Sequence, residues 1–240
     1  MKVIVDPQFQ KYQDFIRQLP CLINQGVGTT VYDGRNKVVR IEHEGETMMV
    51  KCFKKVNFIQ QIAYSFFRKS KAERAFLFAG EFAKRGIDTP QRIAYIEEKC
   101  WGLFQKGYFI SKEAKGIECH LLLREVEDFP TRLADAVMEH TIKMHSKGIL
   151  HGDLNLSNYL CEEKDGCYHF NMIDINRSRF CDGYPSPEDC LKNLVRMTHR
   201  RDLYEYLVGS YARQRNWDVT KTVKQAVVLL DRFEHRKFKF

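Results

Sequence analysis

Three stretches of the chain carry the residue types from which a reaction centre could be built. His151-Gly152-Asp153-Leu154-Asn155-Leu156-Ser157-Asn158 sets a histidine, a carboxylate and a carboxamide close together, with Asp153 and Asn158 five residues apart. Phe170-Asn171-Met172-Ile173-Asp174-Ile175-Asn176 is an apolar run interrupted by an acid. Far upstream, Val50-Lys51 sits in a β-rich run. Carboxylate and amide oxygens suit a hard cation. A lysine is a compact positive charge for phosphate. Each residue also has a plainer reading: Asp153 and Asn158 as turn residues, Asp174 as a strand-end cap, Lys51 as an exposed strand lysine.

These residues need elements to position them. Residues 29–33, 37–43 and 47–53 read as strands, with Asp33-Gly34-Arg35-Asn36 and Glu44-Gly45 as the turns. Lys51 then falls in the third of these strands. Residues 56–85 change to helical period through Phe58, Ile62, Phe66, Ala75, Phe78 and Phe82, and Gly86 and Pro90 mark the stop. Two more strands follow, Arg92 to Glu97 and Leu103 to Ile110. Residues 131–147 read as a helix ending at Gly148, residues 149–175 as strand and loop, and the remainder as helices. Segregated strands and helices predict an α+β fold in two lobes, with residues 1–110 β-rich and residues 111–240 mainly helical.

Composition narrows the class. With 17 Phe, 11 Tyr and 44% apolar residues in 240, the chain can bury a sizeable core, which excludes wholesale disorder. No run of 18 apolar residues offers a membrane-spanning helix. The start, Met1-Lys2-Val3-Ile4-Val5-Asp6-Pro7, does not read as an export signal. Eight cysteines without a CxxC pair read as reduced thiols of a cytoplasmic protein. A zinc site from Cys161, Cys167, His169 and Cys181 is disfavoured because the spacing fits no common ligand pattern. The net charge of +8 favours an anionic partner. No nucleic-acid-binding motif directs that charge towards DNA or RNA.

The loop His151 to Asn158 matches H-x-D-L-x-x-x-N, the catalytic-loop pattern of protein kinases apart from its arginine. The helix end before it, the strand reaching Asp174 and the position of Lys51 agree with it in order. Over roughly residues 25–210 the chain resembles small atypical kinases of the protein-kinase-like superfamily, and most of all the bacterial lipopolysaccharide core kinases that phosphorylate Kdo or heptose sugars. The resemblance implies a two-lobed kinase-like fold with Mg-ATP between the lobes. It also implies transfer of the γ-phosphate to a hydroxyl of an acidic inner-core sugar or glycolipid at the cytoplasmic face of the membrane. Phosphoryl transfer needs positioning and electrostatics rather than covalent help. On this reading Asp153 orients the acceptor hydroxyl and accepts its proton, and Asn158 and Asp174 hold Mg²⁺. Lys51 holds the ATP phosphates, paired with Glu73 rather than Glu81. The turn Gly34-Arg35-Asn36, preferred to Gly26-Val27-Gly28, covers the phosphates. The backbone at Ile110 and Ser111 meets the adenine. Arg177 and Arg179 recognise the acidic acceptor.

The departures are informative. Gly152 replaces the usual arginine, which removes the common partner of a phosphorylated activation loop. Asn176 stands where a D-F-G motif has its glycine, and no A-P-E motif follows. A peptide-docking segment is therefore not expected. The alternatives are an atypical protein kinase without an activation segment and a pseudokinase. Finally, Lys54, Lys55, Phe58, Phe66, Phe67, Arg68, Lys69 and Lys71 form a basic and aromatic segment. It reads either as packing on the sheet, the preferred reading, or as a peripheral contact with an anionic membrane. The tail His235-Arg236-Lys237-Phe238-Lys239-Phe240 has the same character.

Overall fold

The computed structural model describes residues 1–54 and 56–237; Lys55 and residues 238–240 lie outside the described residues. The chain divides into two compact units, Met1–Lys84 with Thr89–Ala114, and Arg85–Asp88 with Lys115–Phe240.

The first unit is built on β1 (Lys2–Val5), α1 (Gln13–Asn24), β2 (Thr29–Asp33), β3 (Lys37–His43), β4 (Glu46–Phe53), α2 (Phe58–Ile62), α3 (Lys71–Lys84), β5 (Arg92–Cys100) and β6 (Leu103–Lys112). Its six strands form one antiparallel sheet in the order β1-β5-β6-β4-β3-β2. Alternation along β4 sends Met48, Val50 and Cys52 to one face, where Tyr12, Ile16, Leu19 and Ile23 from the N-terminal segment complete a core. Phe53 lies in a second cluster with Tyr95 and with Ala72 and Phe76 of α3. Lys51 alternates with the first set, in register with Phe109 of β6, whose neighbour across the sheet is Tyr95.

Two features differ from the sequence reading. The helical stretch 56–85 is broken: α2 runs into a π-helical turn, Ala63–Phe67, Arg68 is extended, and α3 starts afresh. The restart has a local cause, because the Ser70 hydroxyl accepts the Glu73 N–H at 3.1 Å as a helix cap. The β-rich lobe also holds more than one long helix. A 3-10 turn, Pro7–Tyr12, and α1 precede the strands and seal one face of the sheet.

The second unit contains β7 (Ile117–Glu118), α4 (Cys119–Leu123), α5 (Thr131–Ser146), β8 (Ile149–Leu150), β9 (Tyr159–Lys164), β10 (Cys167–Met172), β11 (Arg179–Phe180), α6 (Pro187–Leu194), α7 (Arg201–Gln214) and α8 (Val219–Lys237). The mixed architecture, an antiparallel sheet first and helices after, is the predicted α+β class. Strands β10, β9 and β7 form a small sheet, and β11 pairs with β8. Helix α5 stops at Gly148, whose φ of +68° suits glycine. Arg85 donates to the carbonyls of Lys147, at 2.6 Å, and Cys181, at 2.9 Å, so a cation sits at the negative end of α5. The Asp88 carbonyl accepts the Met172 N–H at 2.9 Å, which ties the 85–88 segment to the end of β10. Among the described residues no helix is long and apolar enough to cross a membrane.

Candidate active site

The loop after β8 is organised around a buried histidine. The Asp153 N–H donates to His151 Nδ1 at 3.1 Å, so Nε2 carries the proton and donates to the Ile173 carbonyl at 3.0 Å. One ring thus joins the loop carrying Asp153 to the residue before Asp174. Burial disfavours the imidazolium and lowers the His151 pKa, although the Ile173 carbonyl and the charges of Asp174 and Asp153 pull the other way.

A second histidine supports the same loop from behind. Asn193, in α6, donates through Nδ2 to the His151 carbonyl at 2.6 Å. Its Oδ1 accepts from His145 Nε2 at 3.1 Å. That leaves His145 Nδ1 to accept the Tyr211 hydroxyl at 2.8 Å, and Arg215 donates to the Tyr211 oxygen at 2.9 Å. The directions agree only when His145 is neutral. Burial brings its pKa down to about 4.

Asn158 is buried and sits in a 3-10 turn, Leu156–Asn158, directly before β9. Its Nδ2 donates to the Asp153 carbonyl at 2.7 Å. The Ile173 N–H donates to the Asn158 carbonyl at 3.0 Å. The carboxamide is therefore fixed by its nitrogen, with its oxygen left for another partner. Asp174 is exposed and left-handed, at φ 55° and ψ 40°, a conformation that Asp tolerates better than most residues. The Asn176 side chain donates to Asp174 Oδ1 at 3.1 Å. The residue replacing the D-F-G glycine thus holds the aspartate.

Gly152 has a steric explanation. A Cβ there would lie 2.1 Å from the Arg177 carbonyl oxygen and 2.5 Å from its carbon. The turn after Asp174 occupies the space in which an arginine would begin. Arg177 contributes this backbone contact, while its side chain is exposed. Arg179 pairs in β11 with Leu150 and approaches Asp189 at 3.9 Å.

Two residues at this site were not singled out from the sequence. Arg196 approaches Asp153 Oδ1 at 3.4 Å, with its guanidinium over the Phe233 ring. The Leu156 N–H donates to the Met197 carbonyl at 3.2 Å, which holds the loop against the segment carrying Arg196. Asn193 is the other. Both lie about forty residues downstream, and no motif spacing links them to the loop.

In the first unit, Lys51 sits in β4 with Nζ 5.8 Å from the centre of the Phe53 ring. Glu73 is brought to Lys2, at 3.8 Å, and Lys2 also approaches Glu97 at 3.9 Å. Gly34, Arg35 and Asn36 form the β2–β3 turn, closed by the Gly34 N–H donating to the Asn36 carbonyl at 3.2 Å. Gly28 is confined by backbone, with φ +92° and a Cβ position 2.8 Å from the Arg40 carbonyl, whereas a Cβ on Gly34 would press only on the end of the Tyr32 side chain. Ile110 and Ser111 are buried in β6 between β4 and β5, so their backbones belong to the ladder. The Lys112 and Glu113 amides are also bonded, to Gln91 and Thr47, and the chain leaves the sheet only from Ala114. The backbone groups of Ile110 and Ser111 are thus engaged within the sheet.

Among the described residues no group of three or more His, Cys, Asp or Glu side chains could hold a metal ion. Cys161 is buried and Cys167 and His169 are exposed.

Comparison with known proteins accords with this geometry. No curated protein matches the chain by sequence. Among solved structures, "WaaP in complex with acyl carrier protein" is similar over 98% of this chain and 98% of that one, with a TM-score of 0.63 and 16% identity. At that identity the likeness speaks for the fold. The model for the lipopolysaccharide kinase (Kdo/WaaP) family matches residues 34–217, most of the sequence. The chain belongs to that family, and with it to the phosphotransferases that act on the lipopolysaccharide core.

Proposed function

We propose that this protein transfers the γ-phosphoryl group of Mg-ATP to a hydroxyl of an inner-core sugar, Kdo or heptose, at the cytoplasmic face of the membrane. The observation that carries the reading is the way Asp153 and Asn158 are locked together while His151 ties their loop to the residue before Asp174.

Asp153 would orient the acceptor hydroxyl and take its proton as the phosphoryl group moves. Arg196 beside it would keep the carboxylate in place and add positive charge. The Asn158 amide oxygen and the Asp174 carboxylate would hold Mg²⁺, a donor set that fits an ion bound through few protein oxygens and the substrate phosphates. The ion, when bound, supplies charge neutralisation on the phosphate oxygens. Lys51 and the turn Gly34-Arg35-Asn36 would engage the ATP phosphates, so residues 1–110 would cover the nucleotide and residues 111–240 would supply base and metal ligands. Arg177 and Arg179 would meet the acidic groups of the sugar.

The test is transfer from γ-labelled ATP with Mg²⁺ to Kdo–lipid A, with a basic protein as a second acceptor and Asp153→Ala as control. Label on the glycolipid that vanishes in the variant is the expected result. Label on protein alone would replace this reading with that of an atypical protein kinase.

A further inference from the structure

The segment from α2 through its π-helical turn exposes its largest apolar side chains at both ends. The side chains that dock it are mixed: Ser65 Oγ accepts the Phe104 N–H at 2.8 Å, Gln61 meets Gln105 at 3.3 Å, Tyr64 packs its ring on Phe104, and Ile62 and Ala63 are half-buried. Four large apolar side chains point out instead. Phe58, Ile59, Phe66 and Phe67 are 64, 77, 69 and 80% exposed, and no residue of the helix or the turn is buried. Packing on the sheet, the reading preferred from sequence, therefore does not account for them. The β5–β6 hairpin that supplies Phe104 carries at its tip Trp101, 98% exposed. Single exposed apolar residues are ordinary, but a cluster of large ones marks an interaction surface.

Charge identifies the partner. From residue 54 to residue 72 the sequence has five Lys and Arg and no acid. Lys54, Arg68 and Lys69 are exposed beside the aromatics. A second copy of the chain would meet this patch with itself across a two-fold axis, setting cations against cations. An anionic bilayer complements both parts, apolar rings in the headgroup boundary and lysine and arginine on the phosphates. At about 15 Å for ten residues the segment is too short to span and suits lying flat.

We infer that Phe58–Phe67, with Trp101 alongside, is a membrane-docking surface for anionic phospholipid. Vesicle binding needs neither ATP nor acceptor, so its failure would leave the proposed phosphotransfer untouched.

The experiment is co-sedimentation of the full chain with vesicles of phosphatidylcholine alone and of phosphatidylcholine with phosphatidylglycerol. Binding should favour the anionic vesicles and weaken with salt. The Phe66→Ser/Phe67→Ser pair should bind about a hundredfold more weakly, near tenfold per ring. The Arg68→Glu/Lys69→Glu pair should lose the preference for anionic lipid. Circular dichroism and light scattering on each variant establish that it is folded and monomeric. Binding to neither vesicle, or binding unchanged in folded variants, would overturn the inference. So would a parent dimer that the serine pair dissolves, because the occupant would then be a second copy.

Discussion

Gly152→Ala is the smallest change that sets the resemblance to kinases against the geometry of this chain. The protein-kinase pattern places an arginine at this position, so the motif alone predicts tolerance. Here the added methyl would fall 2.1 Å from the Arg177 carbonyl oxygen, where ordinary contact begins at 3.4 Å. The obstacle is backbone, which cannot rotate away as a side chain would. The loop bearing Asp153 and Asn158 must therefore part from the turn after Asp174 by roughly 1 Å, and such a misplacement costs about 100-fold in rate. Overpacking of this kind also costs about 1–3 kcal/mol. In a chain of this size that lowers Tm by about 2–4 °C for each kcal/mol. Differential scanning fluorimetry and initial rates of phosphoryl transfer at saturating ATP read the two effects separately. Gly209→Ala is the control: like Gly152 it has no positive φ, but its Cβ would meet nothing closer than the Arg213 side chain at 3.4 Å. It should shift Tm slightly and leave the rate alone. A Gly152→Ala protein that melts within about 1 °C of the parent and transfers at the parental rate would refute the steric account.

Stability should fall with acid through buried His145 and half-buried His140. Burial lowers the pKa of His140 and His145 to about 4, below the unfolded value near 6.5. Between those values the unfolded chain binds protons that the native state refuses, so stability is full above pH 6.5 and drops as pH falls towards 4, by up to about 3 kcal/mol per histidine. Thermal melts from pH 7 to 4.5 should show the decline, and His145→Gln should flatten part of it. Asn193→Ala should cost about 1–3 kcal/mol by stranding the His151 carbonyl and the His145 N–H, with a loss in kcat that Asn193→Gln partly restores. Reversing charge at Arg177 and Arg179 together should raise the acceptor KM about tenfold with ATP binding intact; an unchanged KM would remove both from acceptor recognition.

The elements most legible in the sequence were those whose signals are local. Strands β2 to β4 were bounded by Asp33-Gly34-Arg35-Asn36 and Glu44-Gly45, and α5 by its period and Gly148. What went unread depends on distant partners. Lys2–Val5 becomes a strand only because β5 offers it an edge, with Val3 opposite Ile96 and Val5 opposite Ala94. Helix α1 has the helical spacing Ile16, Leu19, Ile23, but it encloses Pro20, which argues locally against a helix. The site divided in the same way. Asp153 and Asn158 were found because their bond spans five residues of one loop. Arg196, Asn193 and the approach of Arg177 to Gly152 come from remote segments, and no spacing rule reaches them. Even a correct motif could not say why its arginine is missing.

The four residues Arg85–Asp88 bear on the modularity of the chain. They lie between α3 and β5 in sequence, yet they cap α5 and receive the Met172 amide. A fragment that began at Lys115 would contain every residue proposed for base and metal binding and still lack two of its structural ties. Neither half is a contiguous gene segment, so neither can be transplanted, duplicated or expressed alone by a single cut. In an ancestry of recombination this chain would travel whole, and a split version would need the short crossover supplied to the helical part.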